Sequence, residues 1–278
     1  MRFLKNNCLS ARTVISSMMI LILIFFISSC SQNSDQEKKD SAPVQNKKEL
    51  LIYCGITMIR PMSEIAAMIE NQENCKITIT KGGSGNLLKS IAHNKTGDLY
   101  LPGSDRYYKI IDEKYPDLVT ATEFVGHNKA AIMVQKGNPK KITKDLADLA
   151  DKHYGVVIGN SDSGSIGKEA KKILEKKGVY KDVIKNVMSL TTDSKDLVKA
   201  IKNKEADIVI NWFAVSTWDD NPQFMDVIEI DPKYAKKKKL ILGLLKYSRY
   251  PDIAKKFMDL AGSEKGKELF KKHGLYFD

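Results

Sequence analysis

The sequence is short of the residues that most enzyme and metal chemistry needs. Its 278 residues include four histidines and four cysteines. His93, His127, His153 and His273 are scattered, with no H-x-x-x-H or C-x-x-C spacing, which argues against a catalytic zinc site. No Lys/Arg tract is interleaved with aromatics, so a nucleic-acid surface is not expected. No internal repeat at a solenoid period is visible. No motif supplies a nucleophile together with its base. Ser165-Ile166-Gly167-Lys168 matches S-x-x-K and Lys95-Thr96-Gly97 matches K-T-G, but in reversed order and with no S-D-N between them. Gly164 to Lys168 also hints at a phosphate loop, yet Glu169 stands where Ser or Thr is required. The expectation is a protein that is not an enzyme, with no metal and no cofactor.

One long hydrophobic run stands out. Arg2, Lys5 and Arg12 precede an apolar stretch from Val14 to Ile27, and Ser28-Ser29-Cys30 follows. This is the order of a secretory signal: charged segment, apolar segment, small residues at a cleavage site. The run is short for a membrane span of ~20 residues, which sets a cleaved signal against an uncleaved N-terminal helix. Ile27-Ser28-Ser29-Cys30 resembles the bacterial lipobox, which implies cleavage of 1–29 and lipid attachment at Cys30. Between Ser31 and Lys48 there is one valine and no other large apolar residue. Such a segment cannot bury enough surface to fold, so 30–48 is expected to be a tether with an end-to-end distance of about 25 Å. The chain is then extracytoplasmic and held to a membrane through its N-terminal lipid.

The formal net charge is +11. With the signal removed the chain stays mildly basic, which raises the local concentration of anions. The longest basic run, Lys236–Lys239, adjoins a strand-like segment and is expected to form a solvated turn. Two cysteines, Cys54 and Cys75, fall in the globular part, at the end of one strand and the start of its neighbour. Opposite sheet edges suit two buried, unpaired thiols.

From Glu49 the pattern becomes β-α-β. Leu51–Tyr53, Ile77–Thr80 and Leu99–Leu101 are strand-like. Between them Met62, Ile65, Ala66 and Ile69, then Leu87, Leu88 and Ile91, recur at helical spacing. Val156–Ile158, Met188–Leu190 and Ile208–Ile210 repeat the rhythm in a second unit that starts at Ala130–Val134. Val227–Ile230 and Leu240–Leu245 are further strands, and helices around Phe257 and Phe270 close the chain. The fold class is α/β, with ligands expected outside the carboxyl ends of the parallel strands.

The loops at those ends carry hydroxyls. Thr57 follows Gly55, Ser84 follows Gly82-Gly83, and Ser165 follows Ser163-Gly164. Each hydroxyl either caps its own helix or donates to a ligand. A helix N-terminus offers unpaired N–H groups and positive dipole, and glycine permits close approach. Neutral donors converging from two units suit a small oxyanion.

The segments LIYCGITMIRPMSEIAA from Leu51, KGGSGNLLKSI, GDLYLPGSD, VQKGNP, EADIVINW and the closing PDIAKKFMDLAGSEKGKELFKKHGL together resemble the molybdate-type periplasmic binding proteins, over about Glu49 to Leu275. The resemblance implies a two-lobed binding-protein fold, each lobe a mostly parallel sheet flanked by helices, joined by two crossover strands. Lobe 1 would span 49–126, lobe 2 would span 127–213, and 214–278 would return to lobe 1. It implies a monomer that captures a small oxyanion and passes it to an ABC permease in the cytoplasmic membrane. By position, Thr57 and Ser84 match the two hydroxyl donors, Ser165 and Ile166 fall at a backbone donor, and Ser194 falls at another. Trp212 replaces a tyrosine, with Asn211 a candidate for the missing polar group. Arg60 either joins the site, as suits a more highly charged anion, or lies on the surface. A ligand sensor for a membrane receptor, or the same clamp around another anion, a metal or an organic solute, are the alternatives. Tyr107-Tyr108 and Asp219-Asp220 are the pairs a cation would need.

Overall fold

A computed structural model describes residues 47–275. The expected signal at 1–29, the lipid site at Cys30 and nearly all of the tether lie outside the described residues. Strand β1 (Lys48–Gly55) passes through a 3-10 turn at Ile56–Met58 into helix α1 (Ile59–Glu73). Then follow β2 (Cys75–Gly82), α2 (Ser84–Asn94), β3 (Leu99–Leu101), α3 (Arg106–Lys114) and β4 (Val119–Asn128). The second run is β5 (Ala130–Gln135), β6 (Val156–Gly159), α4 (Ser165–Lys177), α5 (Tyr180–Asn186) and β7 (Val187–Thr191). It continues through α6 (Ser194–Lys202), β8 (Ile208–Trp212), α7 (Asn221–Phe224) and β9 (Met225–Glu229). Finally β10 (Lys238–Leu245), α8 (Pro251–Gly262) and α9 (Glu264–Lys272) close the chain.

These elements form two five-stranded sheets, ordered β2-β1-β3-β10-β4 and β7-β6-β8-β5-β9. In the first, β1 runs parallel to β2 and β3, while β10 runs antiparallel to β3 and β4. The second repeats this plan: β6 is parallel to β7 and β8, and β5 is antiparallel to β8 and β9. The parallel half of each sheet delivers strand ends followed by helix starts to one edge.

Alternation along β1 divides the first lobe's interior between two faces. Ile52 and Cys54 pack with Met62, Ile65, Phe257 and Phe270 on one side. Tyr53 packs with Leu87, Ile91, Tyr100 and Tyr107 on the other. The C-terminal helices therefore belong to the first lobe. The second lobe has its own core, with Ile132, Ile158, Ile173, Leu197 and Ile210. Cys54 and Cys75 are buried and unpaired. Cys75 faces Lys48 at the start of β1, whereas Cys54 pairs with Lys81, so the thiols sit at opposite ends of the ladder.

The lobe boundaries differ from the expected ones. The chain crosses between β4 and β5, and Asn128 ends β4 paired with Lys238 at the start of β10. The return expected at 214 comes later. Ala214 does pack in the first lobe's core, but β9 pairs with β5 in the second sheet. Re-entry into the first sheet therefore waits for β10. The Lys236–Lys239 run is not a free turn either. Lys238 is only 13% exposed and meets Glu169 of α4 at 2.9 Å.

Candidate functional site

The edge where the parallel strands end collects several helix starts. α2 begins at Ser84 after β2, α4 at Ser165 after β6, and α6 at Ser194 after β7. The 3-10 turn after β1 brings Thr57 alongside, 2% exposed. The first N–H groups of each helix have no acceptor inside it. Gly83 and Gly164, the N-cap residues of α2 and α4, have no side chain to supply one. In α6 the cap is Asp193, whose Oδ1 accepts from the Lys195 and Asp196 N–H groups at 2.7 and 3.4 Å.

A cavity of about 10 Å³ lies among these starts. The first lobe contributes Gly55–Thr57, Gly82–Ser84 and Gly103. The second contributes Gly164–Ile166, Asp193, Ser194 and Trp212. This space is about that of one water molecule and admits no organic substituent; sites for organic molecules run to roughly 300–1,000 Å³. No lysine, arginine or histidine is among the lining residues, and Asp193 is the single acid there. Burial pushes the Asp193 carboxyl up, against the lowering pull of the Lys195 N–H.

Three of the four lining hydroxyls, those of Thr57, Ser84 and Ser165, are held from behind by N–H donors. Asn128 Nδ2 donates to Thr57 Oγ1 at 3.3 Å. Gly103 N donates to Ser84 Oγ at 3.0 Å. Trp212 Nε1 donates to Ser165 Oγ at 3.2 Å. A hydroxyl that accepts in this way keeps its own proton to give. Thr57 gives that proton to the Met58 sulfur, 2.7 Å away, a weak acceptor. Thr57, Ser84 and Ser165 are thereby prepared as donors. Trp212 does not reproduce a tyrosine hydroxyl, because its one N–H is committed to Ser165.

Of the eight expected ligand residues, Thr57, Ser84, Ser165, Ile166, Ser194 and Trp212 meet at this cavity. Arg60 and Asn211 are not among its lining residues. Arg60 turns outward, forms an ion pair with Asp219 and lies 5.1 Å over the Trp218 ring. Asn211 precedes Trp212 on β8, so the two side chains leave opposite faces of the strand. Its Nδ2 donates to the Ser194 carbonyl at 2.9 Å and its Oδ1 accepts from the Trp212 N–H at 2.9 Å. It supports the wall without forming it. Gly83, Gly103 and Asn128 were missed by the sequence reading. The Gly-Gly of 82–83 and Pro102-Gly103-Ser104 were the signals available for two of them; Asn128 gave none.

The lobes are closed on each other here. The Gly85 and Asn86 N–H groups of α2 donate to the Ser163 carbonyl of the second lobe at 3.0 and 3.2 Å. A Cβ on Gly83 would lie 2.6 Å from the Ser163 oxygen and 2.7 Å from that of Thr192, and one on Gly103 would lie 2.3 Å from Ser165 Oγ. Glycine at both positions permits the contact. Three of the four residues proposed for a cation are engaged elsewhere. Asp219 and Asp220 bind Arg60 and Lys202, and Tyr108 donates to the Ile241 carbonyl. No cluster of three or more His, Cys, Asp or Glu suited to a metal occurs among the described residues.

The family model described as bacterial extracellular solute-binding protein matches residues 50–276. A binding protein of Haemophilus influenzae is 26% identical over 229 residues, covering 82% of this chain and 90% of the relative. A substrate-binding lipoprotein of an ABC transporter in Bacillus subtilis is 22% identical over 243 residues, covering 85% and 90%. The periplasmic molybdate-binding protein of Azotobacter vinelandii shares the fold with a TM-score of 0.69 at 12% identity, over 82% of this chain and 99% of that one.

Proposed function

This chain belongs to the family of bacterial extracellular solute-binding proteins, and from that premise we propose that it captures a molybdate- or tungstate-like oxyanion for an ABC importer. The observation that carries this reading is the donor set around the closed cleft, three hydroxyls held from behind by N–H groups and the starts of three helices. Neutral donors and helix dipoles solvate an anion without a counter-charge. An oxyanion that carries no proton at neutral pH uses all of them as an acceptor. Molybdate, tungstate and sulfate meet that requirement, and size then selects among them. The Azotobacter protein of the same fold is named for molybdate. The anchor is the lipidated Cys30, a reading supported by the lipobox-like sequence and by the Bacillus relative named as a lipoprotein.

One observation favours a second reading. Asp193 lines the cavity with its carboxyl pushed up by burial. A protonated oxyanion such as hydrogen phosphate would donate to that carboxylate.

Thermal unfolding of the purified chain with molybdate, tungstate, sulfate, phosphate, arsenate and chromate separates the two. A ligand at 100 times its Kd adds about 2.7 kcal/mol to the native state, which raises Tm by several degrees. Shifts confined to molybdate and tungstate, retained in Asp193→Asn, match the first reading. A shift with phosphate or arsenate that disappears in Asp193→Asn matches the second. No shift with any of the six overturns both.

A further inference from the structure

A larger cavity of about 470 Å³ lies beside the oxyanion cradle, and Ile56 lines both. Its walls come from the two lobes: Ile59, Arg60 and Lys81 on one side, and Lys195 to Asn203 with Trp218 to Asn221 on the other. The acids here are already spent. Asp219 binds Arg60, and Asp220 meets Lys202 at 2.6 Å. That leaves Lys81, Lys195 and Lys199 on the rim with no acid in ion-pair range among the described residues. Below them Ile56, Ile59, Val198 and Trp218 form an apolar bed.

We infer that this mouth cavity is a second binding site, for a small organic anion with an apolar body. The body rests on the isoleucines, Val198 and the indole. Carboxylate oxygens accept from the rim ammonium groups, which desolvation strengthens. Volume separates the two sites, because the cradle excludes any organic substituent and the mouth accommodates one. Since both lobes supply its walls, the site is complete in the closed form, and occupancy holds the lobes together.

The two tryptophans of the chain divide between the sites, Trp212 in the cradle and Trp218 in the mouth. In Trp212→Phe, emission therefore reports the mouth alone. The full-length chain in detergent is titrated with phthalate and with benzamide, which keeps the ring and lacks the charge. Calorimetry on the unmutated chain guards against misfolding of the variant. Expected is saturable phthalate binding, at least tenfold weaker in Lys195→Glu/Lys199→Glu of unchanged Tm, with benzamide at least tenfold weaker than phthalate. Absence of saturable binding in both measurements overturns the inference. So does phthalate affinity indifferent to the charge reversals, or benzamide binding as tightly as phthalate. The cradle reading fails separately. Phthalate binding with no response to any inorganic oxyanion removes the oxyanion and leaves the mouth site standing; the converse removes the mouth site alone.

Discussion

Gly83→Ala separates the closure of the lobes from the folding of either one. Gly83 has φ −66° and ψ 132°, a backbone conformation open to any L-residue, so alanine brings no strain to the first lobe. The atoms its Cβ would meet within 3 Å are carbonyl oxygens of the second lobe, Ser163 at 2.6 Å and Thr192 at 2.7 Å. Both are backbone and cannot rotate away. Ordinary contact begins near 3.4 Å, so the lobes must part by about 0.8 Å at this point. The Gly85 and Asn86 N–H bonds to the Ser163 oxygen already measure 3.0 and 3.2 Å, and a separation of that size carries both out of range. Two such bonds are worth about 1–3 kcal/mol together, a loss of roughly 5- to 150-fold in ligand affinity. The ligand-free Tm should stay within a degree or two of the original, because no contact inside a lobe changes. Calorimetric titration with whichever oxyanion shifts Tm, beside unfolding without ligand, reads both quantities. Unchanged affinity together with unchanged Tm would refute the claim that ligand is held by this closed arrangement.

Two further predictions concern stability. Glu169→Gln leaves Lys238, 13% exposed, without its partner at 2.9 Å. Breaking a buried pair from one side costs about 3–5 kcal/mol, so Tm should fall by roughly 6–20 °C; a fall under 2 °C in differential scanning calorimetry would show that the pair is solvated. Glu64 on α1 meets His273 Nε2 at 2.5 Å and Lys272 at 3.0 Å at the end of α9. The His273 hydrogen bond, with help from Lys272, holds the Glu64 carboxyl below its ordinary value of 4.5. Stability from a depressed carboxyl is full above the unfolded value and is lost as the pH falls through the folded one. Urea midpoints measured downward from pH 6 should therefore decline less steeply below about 4.5 in Glu64→Gln than in the original chain; parallel curves would remove Glu64 from the acid response.

The sheets were legible wherever a strand is covered on both faces. β1, β6 and β8 are interior strands, and burial on both sides writes them as apolar runs, Leu50 to Cys54, Val156–Ile158 and Ile208–Ile210. β4 was missed because none of its first six residues is buried, so they write no apolar run. α3 was missed for a related reason: it buries only Tyr107 and Ile111, too thin a stripe to mark a helical period. The loops that meet at the cavity were legible because each places glycine and a hydroxyl between a strand end and a helix start, a local pattern. The choice between the two positions of Arg60 was not legible, because its partner Asp219 lies 159 positions away and no spacing reveals such a pair. Asn211 was misplaced although local geometry forbade it, since consecutive residues of a strand cannot line the same wall.

What the sequence could not supply is the direction in which the hydroxyls give their protons. A serine at a helix start reads the same whether it caps the helix, accepts from a ligand or donates to one. Here the direction is set by donors far along the chain: Asn128 for Thr57 across 71 positions, Trp212 for Ser165 across 47 and Gly103 for Ser84 across 19. Each sits behind its hydroxyl and takes the acceptor role away from it. Two of the three come from strands at the centre of the machinery, Asn128 at the crossing out of the first lobe and Trp212 at the end of β8. Asn128 also donates to the Gly103 carbonyl at 3.0 Å, so one side chain at the hinge ties together two loops of the cradle. A change in hinge geometry therefore alters the donors themselves as well as the gap between the lobes. Selectivity on this reading belongs to the whole closed molecule, because the loop residues supply the protons and the distant strands decide where they point.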